Sequence, residues 1–149
     1  MDVKELREAD GPAVADLFAQ SRAAAMPWLP VLHTSDEDRA FFAGQLREKT
    51  GLGVDGPAGL LGFVIVQTGW LDHLYVDPPA RGQRIGSALL AEARGRIAGD
   101  LQLWAFARNL PALAFYAHHG AIELERTDGR GNEEREPDVR LLLPALAAL

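Results

Sequence analysis

The sequence predicts a mixed α/β fold in one domain covering residues 1–149, and three observations support this. The first is a set of short apolar segments with the composition of strands, of which GLLGFVIVQ at 59–67 is the strongest. The second is that apolar residues recur every three to four positions in segments that begin with typical N-cap residues. The third is composition, because 48% hydrophobic and 24% charged residues are typical of a globular chain.

The first part of the chain is predicted to form one strand and two helices. A short strand covers residues 3–8. Asp10 suits the N-cap position and Pro12 the first turn of a helix that is expected to run to about residue 25. Thr34 and Glu37 form a capping-box pattern, so a second helix is expected after the proline-containing loop.

Three strands are predicted in the middle of the chain. Residues 51–56 indicate a weak strand or a turn, with Asp55-Gly56 as the tip of a hairpin. Residues 59–67 form a buried strand rich in leucine, valine and isoleucine. Residues 70–76 form the strand that follows.

The C-terminal half continues with alternating helices and strands. Asn109 suits the N-cap of a helix and Gly120 its C-terminal stop, while residues 121–126 alternate as a half-buried strand. The other elements are a helix at 86–97, a strand at 101–106, an exposed turn region at 128–138 and a strand at 139–143. The complete predicted order is β-α-α-β-β-β-α-β-α-β-β.

Composition also excludes several classes of function. Without cysteine there is no disulfide, no thiolate nucleophile and no cysteine-based zinc site. A net charge of −6 argues against nucleic acid as a partner, since phosphate binding needs a basic face. The apolar runs are too short to span a membrane, and the polar N-terminus lacks the apolar core of a signal peptide. We therefore expect a cytoplasmic protein.

The stretch RGQRIGSALL, residues 81–90, carries the most informative chemistry. It joins a strand to a helix through a glycine-containing turn, whose unpaired backbone N–H groups and helix dipole favour an anion. Arg81, Arg84 and Ser87 would add charge and a hydroxyl donor at the rim. The Walker and dinucleotide-binding patterns do not match. From the residues alone, a phosphate site and a plain turn with surface arginines remain equal alternatives.

Two motifs resemble the GCN5-related N-acetyltransferase (GNAT) family. LYVDPPARGQRIGSALL resembles the family's pyrophosphate-binding turn after the fourth strand, with Arg84 where the motif prefers its first glycine. NLPALAFYAHHGA resembles the family's Asn-x-x-Ala-x-x-Phe-Tyr helix. The resemblance covers most of the chain and implies the single-domain GNAT fold, with a mixed, mostly antiparallel sheet flanked by helices.

The resemblance implies acetyl-CoA as co-substrate, with its pantetheine arm lying between separated fourth and fifth strands. Backbone groups of Leu74 and Val76 would bind the pantetheine amides in the manner of an added strand. Asn109 would contact the cofactor, cap its helix, or do both. The residues that the resemblance assigns to acetyl-CoA are Leu74, Tyr75, Val76, Arg81, Gly82, Gln83, Arg84, Ile85, Gly86, Ser87, Asn109 and Tyr116.

The resemblance also suggests catalytic residues. Tyr116 is the candidate general acid for the departing thiolate, and the alternative is a core aromatic residue. Asp72 and His73 on the fourth strand are candidate bases, of which His73 has the intrinsic pKa better matched to neutral pH. Strand alternation lets at most one of them face the cleft, and a bulge of the kind common in the family would reverse which one. Each of the two would otherwise be a surface residue.

The acceptor is the least defined part of the prediction. Trp28 would wall an acceptor pocket or pack in the core. His118 and His119 point about 100° apart on a helix, so no metal site is expected. The favoured acceptor is a small-molecule amine. The alternatives are a protein N-terminus or lysine, which needs an open groove, and a non-catalytic acyl-CoA sensor, which binds without turnover. A homodimer is left open.

Overall fold

The computed structural model describes residues 1–146 and confirms the predicted order of strands and helices. The strands are β1 Lys4–Leu6, β2 Thr50–Gly56, β3 Gly59–Gln67, β4 Trp70–Val76, β5 Leu101–Phe106, β6 Ile122–Arg126 and β7 Asp138–Leu143. The helices are α1 Gly11–Ala25, α2 Ser35–Glu48, α3 Ile85–Arg96 and α4 Leu110–His118, with short 3-10 turns at Glu8–Asp10 and Pro78–Ala80.

The seven strands of the described chain form one mixed sheet in the order β1-β2-β3-β4-β5-β7-β6. All neighbouring pairs are antiparallel except β4 and β5. The fold class expected from the sequence, a mostly antiparallel sheet flanked by helices, is therefore confirmed.

The helix starts follow from the capping residues. In α2 the Glu37 backbone N–H donates to Thr34 Oγ1 at 3.1 Å, and the Thr34 backbone N–H donates to Glu37 Oε1 at 2.9 Å. This reciprocal capping box confirms the prediction. Asp10 occupies the N-cap position of α1 as expected, but its carboxylate accepts from the Arg7 backbone N–H at 2.7 Å and not from the helix. Asp10 therefore stabilises the 3-10 turn that precedes α1.

Three local predictions were wrong in detail. The first strand is limited to Lys4–Leu6, because residues 8–10 turn into a 3-10 helix before α1. The hairpin tip lies at 57–58, since Gly56 still pairs with Gly59. Finally, β6 is exposed along its whole length and not half-buried. It is the last strand of the sheet and has a neighbour on one side only.

Apolar residues pack against both faces of the sheet. Helices α1 and α2 cover one face through Val14, Phe42 and Phe63, all fully buried. Helices α3 and α4 cover the other face, where Leu89 and Leu101 are buried. The sheet thus separates two apolar clusters, as expected of strands with alternating side chains.

The parallel pair β4 and β5 holds together at one end only. Their pairing is limited to Trp70 with Gln102, where the Gln102 N–H donates to the Gly69 carbonyl at 2.9 Å. Beyond this point the two strands separate, as the resemblance implied. The opening lies near the middle of the sheet, where both helical layers can reach it.

Strand β4 also contains the bulge that the resemblance left open. His73 pairs with Ile65 and Leu71 pairs with Val66, so Asp72 is the extra residue. A bulge reverses side-chain parity. Consequently Leu71 joins the cluster under α3 and α4, while His73 lies among the aromatic rings of the opposite face.

Among residues 1–146, no helix combines the length and apolarity that crossing a membrane requires.

We predict that Gly11→Ala lowers the free energy of unfolding by about 1–3 kcal/mol, because the added methyl would overlap backbone atoms of α2. A Cβ at Gly11 would lie 2.9 Å from the Ala43 backbone nitrogen. Gly95→Ala is the matched control, since its Cβ meets open space and alanine favours the helix. Urea unfolding of both variants measures the difference. Equal stability of the two would contradict the close α1–α2 packing.

Candidate functional site

A cleft of about 720 Å³ opens where β4 and β5 separate, a volume suited to a small ligand or cofactor. It runs from the turn before α3 to the C-terminal end of α1. Its lining includes every predicted cofactor residue except Gln83. The lining residues are Ser21, Ala24, Ala25, Met26, Leu74, Tyr75, Val76, Ala80, Arg81, Gly82, Arg84, Ile85, Gly86, Ser87, Asn109, Pro111, Ala112, Phe115 and Tyr116.

The turn before α3 presents backbone donors to the cleft. Gly82 has φ +82° and Arg84, the N-cap residue, has φ 63° and ψ 19°. The first intrahelical bond runs from the Ala88 N–H to the Arg84 carbonyl at 3.1 Å. The N–H groups of residues 85–87 precede it and lie at the positive end of the helix dipole. This arrangement can hold an anion such as a pyrophosphate.

Arg84 holds a left-handed conformation that is unfavourable for a residue with a Cβ. The sequence pattern prefers glycine here, and the structure shows why. The conformation costs about 1–2 kcal/mol in a non-glycine residue. Such strain is typical of functional turns.

The other polar side chains of the turn differ in the hydrogen bonds that they make. Arg81 donates to the Ser21 carbonyl of α1 at 3.4 Å, which links the turn to that helix. Ser87 Oγ lies 3.0 Å from His119 Nε2. His119 is thus placed beside the helix N-terminus, a role that the sequence did not indicate. Gln83 is exposed and lies outside the cleft lining.

Backbone groups of β4 face the opening. The Asp77 N–H donates to the Leu61 carbonyl of β3 at 2.7 Å. Since successive residues of a strand direct their amides to opposite edges, those of Val76 and Leu74 point towards β5. These two amides therefore face the opening and are not paired with β3.

Ser21 is a cleft residue that the sequence reasoning missed. It is 3% exposed, and its hydroxyl donates to the Val76 carbonyl at 3.1 Å. This bond fixes α1 to the free edge of β4. The only sequence signal was a small polar residue on a largely apolar helix face.

Tyr116 is one of the residues that line the cleft. It is 7% exposed and stacks on Phe115, with ring centroids 5.2 Å apart. Burial raises the pKa of the Tyr116 phenol well above its ordinary value, so the phenol stays protonated. Asn109 positions this helix by accepting from the Ala112 N–H at 3.3 Å, and its amide also contacts Met26 Sδ at 3.5 Å.

Asp72 and His73 both lie outside the cleft lining. The Asp72 carboxylate accepts from Lys49 Nζ at 3.0 Å and from Gln67 Nε2 at 2.9 Å. His73 is surrounded by aromatic rings, including Phe42 at 5.1 Å and Tyr75 at 6.5 Å between centroids. Burial lowers the pKa of His73 to about 4. The near-neutral pKa that made His73 the preferred base is therefore not kept in the folded protein.

A segment from Thr127 to Pro137 lies beside α1 and the residues that follow β5. Trp28 stacks edge-to-face on Phe106 at 6.3 Å, and the Arg108 guanidinium lies 4.1 Å from the centroid of the Trp28 ring. Three ion pairs attach the segment to the rest of the fold. They are Arg22–Glu134 at 3.4 Å, His33–Glu133 at 2.8 Å and Arg108–Glu136 at 2.5 Å.

Within the described part of the chain, His, Asp and Glu side chains form no group of three that could hold a metal ion.

A family model described as the acetyltransferase (GNAT) family matches residues 4–121. This range covers most of the chain and contains both motifs. No curated protein matches the sequence with statistical significance.

Solved structures share the fold over nearly the whole chain. The ribosomal-protein-S18-alanine N-acetyltransferase of Escherichia coli is 22% identical, with a TM-score of 0.74 over 99% of this chain and 96% of that one. PaiA N-acetyltransferase from Thermoplasma acidophilum in complex with coenzyme A is 16% identical, with a TM-score of 0.66 over 96% and 98%. YncA from Salmonella typhimurium with acetyl-CoA is 14% identical, with a TM-score of 0.73 over 100% and 96%.

We predict that Arg84→Gly raises the free energy of unfolding by about 0.5–1 kcal/mol, because glycine relieves the left-handed strain at φ 63°. If backbone donors bind the phosphates, the Kd for CoA should stay within about threefold of wild type. Arg84→Ala removes the same guanidinium but keeps the strain. Calorimetric titration with CoA and urea unfolding measure both effects. An equally large loss of CoA affinity in both variants would instead assign the binding to the side chain.

Proposed function

Since the chain belongs to the acetyltransferase (GNAT) family and is an N-acetyltransferase, we propose that it moves an acetyl group from acetyl-CoA to a primary amine of a small molecule. The transfer is direct, within a complex of protein, acetyl-CoA and acceptor. The observation that carries this proposal is the cleft that leads from the α3 turn, past the free edge of β4, to Tyr116.

The residues of the cleft fit acetyl-CoA. The backbone donors before α3 suit a pyrophosphate, and Gly82 and Gly86 allow it to approach the main chain closely. The Leu74 and Val76 amides suit the pantetheine amides. Structural relatives in complex with coenzyme A or acetyl-CoA support the same choice. When bound, acetyl-CoA supplies an acetyl group already activated as a thioester.

The chain itself contributes positioning and hydrogen bonding. Holding the amine beside the acetyl carbon lowers the entropic part of the barrier. The Val76 N–H, which faces the opening, would stabilise negative charge on the acetyl oxygen. Tyr116 remains protonated because of its raised pKa, so it can donate a hydrogen bond to the departing sulfur, the contact that a general acid in this position makes.

The amine must lose a proton, and we leave His73 and Asp72 as the candidate acceptors of it. His73 is neutral near pH 7 and lies beside Tyr75, which lines the cleft. Because burial lowers the pKa of His73 to about 4, this ring accepts a proton only weakly. We therefore expect activity to rise between pH 6 and pH 9 as the acceptor amine itself loses its proton.

A small acceptor is favoured by the segment 127–137. Its three ion pairs hold it against α1, the loop after α1 and the end of β5. Acetylation of a protein N-terminus or lysine needs an open groove, and a segment fixed by three ion pairs beside α1 favours a smaller acceptor. We therefore favour a small-molecule acceptor over a peptide acceptor.

We predict that Tyr116→Phe lowers kcat about 100-fold while changing the KM for acetyl-CoA little, because the phenol acts on the leaving sulfur. Tyr75→Phe is the comparison, since it removes a phenol that lines the same cleft. Initial rates of thiol release at varied acetyl-CoA concentrations give kcat and KM for both variants. A near-normal kcat for Tyr116→Phe, or an equal loss in both variants, would refute the assigned role.

The proposed activity is tested by thiol release from acetyl-CoA with panels of small amines and of peptides. We expect amine-dependent release with small molecules and a mass increase of one acetyl group on the product. Turnover with peptides alone would replace the small-molecule acceptor by a protein. Tight CoA binding without release on any acceptor would make the protein a sensor.

A further inference from the structure

Arg22 lies on the α1 side of the opening between β4 and β5. Its guanidinium carbon is 4.7 Å from the Phe18 ring and 5.7 Å from the Phe106 ring. Phe18 packs edge-on against Tyr75 of β4 at 5.2 Å, and Phe106 ends β5. The guanidinium therefore lies across the two separated strands, on the face opposite to α3 and Tyr116.

The hydrogen-bonding capacity of Arg22 is largely unused. The guanidinium has five N–H donors. Its Nη2 makes a bond of 3.4 Å to Glu134 Oε1, at the long limit for such a pair. Its Nε is buried and has no hydrogen-bond partner. Buried donors without a partner are rare in folded proteins, and each one calls for an explanation.

The surroundings of Arg22 restrict which chemical group can accept hydrogen bonds from its remaining donors. The two aromatic rings fix the guanidinium, and its planar fork matches a carboxylate. Glu134 already brings one carboxylate to it, which shows that this anion fits the position. An acceptor that carries a carboxylate beside its amine can pair with this guanidinium.

We propose that Arg22 binds the carboxylate of the acceptor, so that the substrate is a small amine of the amino-acid class. This inference rests on the proposed function and defines its acceptor more closely. The carboxylate takes the position beside Nη2 that Glu134 now approaches, while the amine of the same molecule points to the opening. Arg22 is accordingly a specificity-determining residue that binds substrate and takes no part in proton transfer.

The same arrangement disfavours the other acceptors. A polyamine carries no anion that could pair with the guanidinium. A peptide N-terminus carries an amide where a free amino acid has a carboxylate. It would leave Arg22 as incompletely paired as it is without substrate.

The test compares matched acceptors that differ only in the carboxylate. A panel of α-amino acids is assayed against the corresponding α-amides and decarboxylated amines, for example phenylalanine, phenylalaninamide and phenethylamine. We expect kcat/KM for the preferred amino acid to exceed that for its two neutral counterparts on the order of 10- to 100-fold, the range of a charged hydrogen bond. Equal use of the three would overturn the inference and leave the proposed function standing.

Variants of Arg22 provide the second arm. Arg22→Met should raise the KM for the amino acid about 10- to 100-fold, leave the KM for acetyl-CoA unchanged and abolish the preference for the carboxylate. Arg22→Lys should restore part of the preference. Arg39→Met is the control, because Arg39 pairs with Asp16 on the exposed side of the helices. An undiminished preference in Arg22→Met would contradict the proposal.

Direct binding separates this inference from the proposed function. Calorimetry of the wild-type protein with CoA should show binding of the amino acid and weaker binding of its amide. If no amine is acetylated, the proposed function fails, and this binding difference still decides the role of Arg22. If Arg22→Met does not fold, as judged by its thermal transition, the amino-acid and amide comparison on the wild-type protein decides it alone.

Discussion

The separation of β4 and β5 is the constraint on which the rest of the structure depends. A sheet normally pairs the backbone groups of its inner strands completely. Here a single pair, Trp70 with Gln102, joins two strands that then diverge. The free edge of β4 must find other partners, and Ser21 of α1 supplies one for the Val76 carbonyl. The remaining amides are left for a ligand that behaves like a strand.

Each of the two helical layers supplies different residues to this opening. The layer of α3 and α4 supplies the anion-binding turn and Tyr116. The layer of α1 supplies Ser21, the aromatic residues and the charged pair of Arg22 with Glu134. The interruption of the sheet leaves a cleft that residues of both layers line.

Local patterns predicted the parts of the site that depend on local geometry. The turn at 81–87 and the helix from Asn109 to Tyr116 are continuous in sequence, so glycines and capping residues indicated them. Ser21 and Arg22 were not found, because their contacts arise from the way α1 crosses β4. The parity of Asp72 and His73 depends on a bulge, and the exposure of β6 depends on strand order. Neither is encoded in a short stretch.

The burial of His73 has a consequence for acid tolerance. Its pKa is about 4 in the folded protein, whereas an unfolded chain titrates histidine near 6.5. The unfolded state therefore binds a proton first as the pH falls below about 6.5, and native stability declines until the folded pKa is reached. This one ring can remove about 3 kcal/mol over that interval. Whatever it contributes to catalysis, His73 makes the α1 side of the sheet sensitive to acid.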